Sequence, residues 1–185
     1  MQASRRHLID GREVRVYDGL LSQQDILRLT AMFDDGAFTR TEWARPETAA
    51  VRHWALNIPH DTALKLPVYA PTLQAAQDTA PGRSYKVYRC YCNHAAYGDM
   101  LFTHTDCEPG GKDLTALWYV APQWDVEWGG ETLFFDKDRD AAAAVSPRPG
   151  RLVIFDGTIL HAGRPPSRAC YAPRYTLAYK LEPVA

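Results

Sequence analysis

The chain has no long apolar run. No stretch of its 185 residues approaches the ~20 consecutive apolar residues of a membrane-spanning helix, and the opening "MQASRRHLIDGREVRV" has no apolar h-region. It also lacks an excess of either charge. Twenty-one Lys and Arg stand against 22 Asp and Glu, so no basic field invites nucleic acid or an anionic membrane. Repeats, low-complexity segments and linkers are missing, which argues for one domain over residues 1–185, and a cytoplasmic protein is expected. Cysteine is sparse as well. Cys90, Cys92, Cys107 and Cys170 come without a secretory signal, so disulfides are not expected. The C-x-C spacing is poor chelating geometry, because structural zinc sites separate their thiolates by about two to four residues. Buried free thiols are the better reading.

What is present is a core. Hydrophobic residues make up 46% of the chain, enough for one globular domain of this length. "EVRVYDG" (13–19) reads as a strand ending in an Asp-Gly turn. Ser22 is placed to N-cap a helix running to about Phe33, with Ile26, Leu27, Leu29 and Phe33 as its apolar stripe. A strand is expected within residues 49–58 and a helix over 68–80, closed by Pro81-Gly82. From residue 84 short strands alternate with turns: "SYKVYRCYC", "MLFTHTD", "DLTALWYVA", "GETLFFD", "RLVIFD", "TILHAG" and "RYTLAYKL". "AAAA" (141–144) suggests a helical turn. Many short strands at this spacing predict a mainly β sandwich or barrel with flanking helices.

One tripeptide, His104-Thr105-Asp106, carries chemistry. In an extended segment residues i and i+2 face one way, so His104 and Asp106 share a side. With six His and fifteen Asp, roughly half of one H-x-D is expected by chance, so the tripeptide alone says little. His161, at the end of a later strand-like run, adds to it, because antiparallel strands can bring it opposite. Two imidazoles and one carboxylate on one face of an octahedral metal form the facial triad of non-haem Fe(II) oxygenases. Zn(II) tolerates similar ligands. Taken singly, either His reads as a satisfied core imidazole.

The last strand changes the balance. Arg174, Thr176 and Ala178 share a face, and an inward Arg is costly unless it meets an anion. Its planar fork suits a carboxylate, Thr176 adds a hydroxyl, and Tyr119 offers a phenol to the same anion. A metal with open positions beside such a pocket is what a bidentate dicarboxylate cosubstrate requires.

In order from about residue 84 to 182, "YGDMLFTHTD", "LTALWYVAPQWDVEWGGETLFFD", "VSPRPGRLVIFDGTILHAG" and "RYTLAYKL" resemble the 2-oxoglutarate- and Fe(II)-dependent oxygenases of the prolyl-4-hydroxylase-like branch. Gly98-Asp99, Gly129-Gly130 and "PRPGRLVIF" fall where that family has them, while residues 1–83 match only as helical and strand support. The resemblance implies a double-stranded β-helix (jelly-roll) core over 84–182. It implies His104, Asp106 and His161 as iron ligands, Arg174 on the distal carboxylate of 2-oxoglutarate, and Tyr119 as the helping tyrosine. "RPPSRACYAP" lengthens the His161-to-Arg174 interval and leaves Arg168 as a rival to Arg174. "NHAA" (93–96) reads as a local insertion, which leaves Tyr91, Tyr88 and Tyr97 as candidates for a second cosubstrate tyrosine, with Tyr91 taken here.

The implied chemistry consumes O2 and 2-oxoglutarate, releases succinate and CO2, and hydroxylates an unactivated C–H bond, with ascorbate as a stimulatory reductant. A carboxylate at Asp106 favours hydroxylation over halogenation, since the related halogenases place a small residue there. Desaturation and ring chemistry stay open. Arg89 is in phase with Tyr91 and lines the pocket or pairs as a strand residue. Trp118 should point away from Tyr119. Trp124 and Trp128 cover the site or close the barrel. Residues 36–62 and the pocket would choose among a free amino acid, a small metabolite and a peptidyl side chain, in a monomer or homodimer. The alternatives are a metal-retaining jelly-roll sensor without catalysis and a cupin-like metalloenzyme.

Overall fold

Two antiparallel sheets face each other in the computed structural model, which describes residues 2–184. The larger sheet is built from β1 (Arg5–Ile9), β2 (Arg12–Tyr17), β3 (Thr39–Glu42), β4 (His53–Asn57), β5 (Tyr85–Ala95), β6 (Leu114–Tyr119), β9 (Leu152–Asp156) and β11 (Arg174–Pro183). Its strand order is β1-β2-β9-β6-β11-β5-β4-β3. β7 (Thr132–Phe135), β8 (Ala141–Val145) and β10 (His161–Gly163) form the smaller sheet in the order β10-β7-β8. This is the expected mainly β architecture, the double-stranded β-helix core, with helices α1 (Gln23–Asp34), α2 (His60–Ala63) and α3 (Tyr69–Thr79) outside it.

Alternation assigns the two faces of the large sheet. Leu114, Ala116 and Trp118 of β6, Leu152 and Ile154 of β9, and Leu177, Tyr179 and Leu181 of β11 pack against α1 and α3 in one apolar cluster. Val153, Phe155 and Tyr119 point the other way and meet Phe134, Ala143 and Val145 of the smaller sheet. Trp118 accordingly turns from Tyr119, and its indole N–H donates to Thr72 Oγ1 of α3 at 2.9 Å. Ser22 caps α1, accepting from the Asp25 amide, and Ile26, Leu29 and Phe33 are buried. Leu27, expected in that stripe, is half exposed, because it sits a full residue off the i, i+3, i+7 line.

Other expectations need correction. "AAAA" forms β8, not a helical turn. Pairing with β7 satisfies the backbone of this segment and buries Ala143 and Val145. "NHAA" is no loop, since Asn93, His94 and Ala95 continue β5 between β4 and β11. "MLFTHTD" is not a strand. Beyond Gly98 the segment is irregular and touches the smaller sheet only through a His104–His161 bridge. Cys90, Cys92 and Cys170 are buried free thiols, and Cys107 is half-buried.

Candidate metal centre and its pocket

His104 and His161 are held by reciprocal backbone hydrogen bonds, His104 N to His161 O and His161 N to His104 O, both 3.0 Å. Two residues on, the Asp106 amide donates to Gly157 O at 2.7 Å. Gly157 is small for a reason: a Cβ there would lie 2.9 Å from Cys107 Sγ and 3.2 Å from Asp113 O. These pins bring one donor atom each from His104, Asp106 and His161 within 4.8 Å of one another, the only such cluster among the described residues. The irregular backbone around the tripeptide therefore does what an extended strand was expected to do.

The donors are also in the right state. His161 Nδ1 lies 2.9 Å from Ile159 O and His104 Nδ1 3.1 Å from Phe102 O, which turns both Nε2 atoms toward Asp106. His104 Nε2 is 3.4 Å from Asp106 Oδ1, and His161 Nε2 is 3.5 Å from Oδ2. Burial pushes the His161 pKa down to about 3, against the pull of Asp106, so the imidazole is neutral and able to ligate. Burial pushes the Asp106 carboxyl up, but Lys180, His161 and His104 outweigh it and hold it well below the usual carboxylate range. Two imidazoles and one carboxylate, all side chains, leave one side open; this donor set fits Fe(II).

The cluster lines a cavity of about 230 Å³. β11 supplies its floor: Arg174, Thr176 and Lys180 all line it, at one end and the other of a row roughly 20 Å long. At the first end Arg174 is buried, with Nε donating to Gly130 O at 2.6 Å, Nη2 to Thr132 Oγ1 at 3.1 Å and Nη1 near Thr176 Oγ1 at 3.5 Å. Among the described residues none of these partners is a carboxylate. Burial lowers the Arg174 pKa, partly opposed by Tyr119 and Glu131. A guanidinium with only neutral partners at contact distance is a site for an anion.

The expected residues are not all equivalent in place. Thr176 lies beside Arg174. Tyr119 has its ring centroid 5.4 Å from the Arg174 guanidinium carbon, but its hydroxyl donates to Thr132 Oγ1 at 2.7 Å and reaches Val145 O at 3.1 Å. It buttresses Thr132 and is not among the residues lining the cavity. Tyr91 lines the cavity toward Lys180, whose Nζ is 5.9 Å from the Tyr91 ring centroid. Arg168 is exposed in its loop, whereas Arg174 is 3% exposed. Tyr88 reaches the mouth because a bulge opposite Lys180 and Leu181 leaves it as the extra residue of β5, and Tyr97 is exposed. Arg89 does both things foreseen for it, lining the cavity while pairing with Glu42 at 2.6 Å. Trp124 and Trp128 meet edge to face, and the Trp124 indole donates to Gly129 O.

Lining residues that escaped the sequence include Lys180, Thr132, Asn93 and His53. Lys180 had a visible signal, since it continues the i, i+2 phase of Arg174, Thr176 and Ala178. Asn93 continues the phase of Arg89 and Tyr91, and its buried Oδ1 has no hydrogen-bond partner in the protein. Neither Thr132 nor His53 stands out by type or spacing.

Fold and site together define a jelly-roll protein with a His/Asp/His metal centre beside a buried arginine. Residues 88–179, about half of the chain, match the family of the 2OG-Fe(II) oxygenase superfamily. The chain belongs to that superfamily and is a 2-oxoglutarate-dependent non-haem iron dioxygenase, with Fe(II) as its metal and 2-oxoglutarate as cosubstrate. No curated protein matches it in sequence. Solved structures with the same fold include a Pseudomonas putida prolyl-4-hydroxylase, at 18% identity and a TM-score of 0.67 over 93% of both chains. A Trichoplax adhaerens prolyl hydroxylase, in complex with a peptide fragment of the hypoxia inducible factor oxygen degradation domain, aligns at 16% identity and 0.67 over 91% of this chain and 83% of that one. The non-haem α-ketoglutarate-dependent epimerase SnoN of nogalamycin biosynthesis aligns at 14% and 0.69 over 91% and 76%. Among the described residues no helix is long and apolar enough to cross a membrane.

Proposed function

We propose that the enzyme hydroxylates an unactivated C–H bond, with His104, Asp106 and His161 holding the iron and Arg174 binding the distal carboxylate of 2-oxoglutarate. The observation that carries this is a single cavity with the three-donor cluster on its wall and a buried guanidinium, without a carboxylate partner, at its end. Bound Fe(II), with 2-oxoglutarate and O2, supplies an oxidant strong enough to break a C–H bond, with succinate and CO2 as co-products.

The chain's own residues bind and orient. Thr132 accepts from Arg174 and Tyr119 together, and Gly130 O accepts from Arg174 Nε, so the fork is fixed before any ligand arrives. Thr176 adds a hydroxyl on the same side, and Tyr91 narrows the cavity nearer Lys180. With the cosubstrate inside about 230 Å³, little volume is left, so the substrate offers a small molecule or one side chain through a mouth rimmed by Trp43, Tyr88 and Phe102. A free amino acid, a small metabolite and a peptidyl residue all meet that requirement. Both sizes have a parallel in this fold: the Trichoplax adhaerens enzyme is in complex with a peptide fragment, and the epimerase SnoN is in complex with nogalamycin RO.

Arg174→Met tests the assignment. In a 2-oxoglutarate titration of Mn(II)-loaded protein, losing a buried charge-assisted pair should raise Kd by about 100-fold with Mn(II) affinity unchanged. An unchanged Kd would move the carboxylate elsewhere, with Arg168 the first alternative.

A further inference from the structure

Asp106 has two oxygens, and the protein has already claimed one of them. Thr115 Oγ1 donates to Asp106 Oδ2 at 2.6 Å, and Lys180 Nζ donates to the same oxygen. Lys180 also donates to Thr115 Oγ1 at 3.1 Å, closing a triangle of three buried side chains. The sheet sets this up directly, because Lys180 of β11 and Thr115 of β6 are opposed in register. Tyr91 covers the remaining side of the ammonium. Asp106 Oδ1 has neither donor and lies 3.4 Å from His104 Nε2. The backbone is fixed too, through the Asp106 amide on Gly157 O.

We infer that Lys180, with Thr115, is a positioning residue that reserves Asp106 Oδ2 and so restricts the carboxylate to one metal-binding oxygen, Oδ1. The inference rests on reading His104, Asp106 and His161 as the metal ligands. An octahedral ion held by three single donors keeps three positions, two for a chelating 2-oxo acid and one for O2. A carboxylate free to turn can grip the ion with both oxygens and take one of those positions. Lys180 thereby protects cosubstrate chelation by acting through the carboxylate ligand. A lysine at the solvent end of a strand would be free to swing. This one is closed in by its carboxylate, its threonine and an aromatic ring, which is what a fixed support needs.

The test uses Mn(II) as probe in the whole protein, read by water-proton relaxation, which reports the number of exchangeable waters on the ion. Wild type should show three waters, two of them displaced by 2-oxoglutarate. Lys180→Met should still bind Mn(II), but with about two waters and with 2-oxoglutarate affinity lowered at least tenfold. Thr115→Val, which keeps the ammonium, should move both readings the same way by less, and it decides the matter should Lys180→Met fail to fold. Folded variants with wild-type water count and 2-oxoglutarate affinity overturn the inference. So does a change in Mn(II) affinity alone, which would reduce Lys180 to a neighbouring charge. Wild-type protein that binds no Mn(II) would instead sink the ligand reading on which the inference rests.

Discussion

At the scale of single residues the site is a chain of buried charges that need one another. His104→Ala removes a proposed ligand whose side chain is partly exposed, and the expected result is loss of at least 100-fold in Fe(II) affinity with little change in thermal stability, read by chelator competition and by melting. Asp106→Ala should lose iron to a similar degree but also destabilise the protein by about 3 kcal/mol, because it strands Lys180 in the interior. Equal melting temperatures for the two variants would mean that the Lys180–Asp106 pair carries no such weight. The clustering of His104, Asp106 and His161 was legible from their type and order, although the extended phase expected of the tripeptide is absent. Lys180 was not, although alternation from Arg174 points it inward, because lysines at strand ends usually end in solvent and nothing in the sequence says that Asp106 waits there.

At the scale of elements, β11 is the spine of the site. One face, Tyr175 to Leu181, builds the helix-side core, and the other carries Arg174, Thr176 and Lys180. The sequence showed this strand and its phase because both faces are regular. It misplaced the tripeptide's segment, because apolar residues before His104 mimic a strand although the chain finds only one bridge partner there. It misread "AAAA", because alanine's helix preference is outvoted by a waiting strand edge. Glycine positions connect elements to function. Gly130 holds φ +79°, and a Cβ on it would stand 3.1 Å from Arg174 Cδ and Trp124 Cζ2. Gly130→Ala should weaken 2-oxoglutarate binding about tenfold by displacing the guanidinium, leaving metal affinity intact. A parallel loss of metal would place the damage in the fold, outside the Arg174 contact.

At the scale of the whole molecule, the support region is tied to the core by an ion pair between a buried arginine and a partly exposed aspartate. Arg151, fully buried on the turn into β9, donates through Nε and Nη2 to Asp18 after β2, at 2.7 and 2.9 Å. That hydrogen bond holds the Asp18 carboxyl below its ordinary value, against burial. A carboxyl lowered in the folded state stabilises above its unfolded pKa, near 3.8, and that contribution disappears as pH falls through the folded value. Because the Asp18 side chain is partly exposed and screened by solvent, Asp18→Asn should cost only about 1 kcal/mol at pH 7, roughly 2–4 °C in melting temperature, with the gap to wild type shrinking below pH 4. A gap independent of pH would assign the loss to packing. No sequence pattern announces this pair, whose partners lie 133 residues apart.

The central claim is that one cavity holds Fe(II) and 2-oxoglutarate together through His104, Asp106, His161 and Arg174. Its most direct test is anaerobic: Fe(II) and then 2-oxoglutarate are added to metal-free protein while the visible spectrum is recorded. A weak charge-transfer band that appears only with both, and is lost in His161→Ala, is the expected result. Iron binding without that band would contradict the claim, because the metal would then be held in a site that does not bring the cosubstrate onto it.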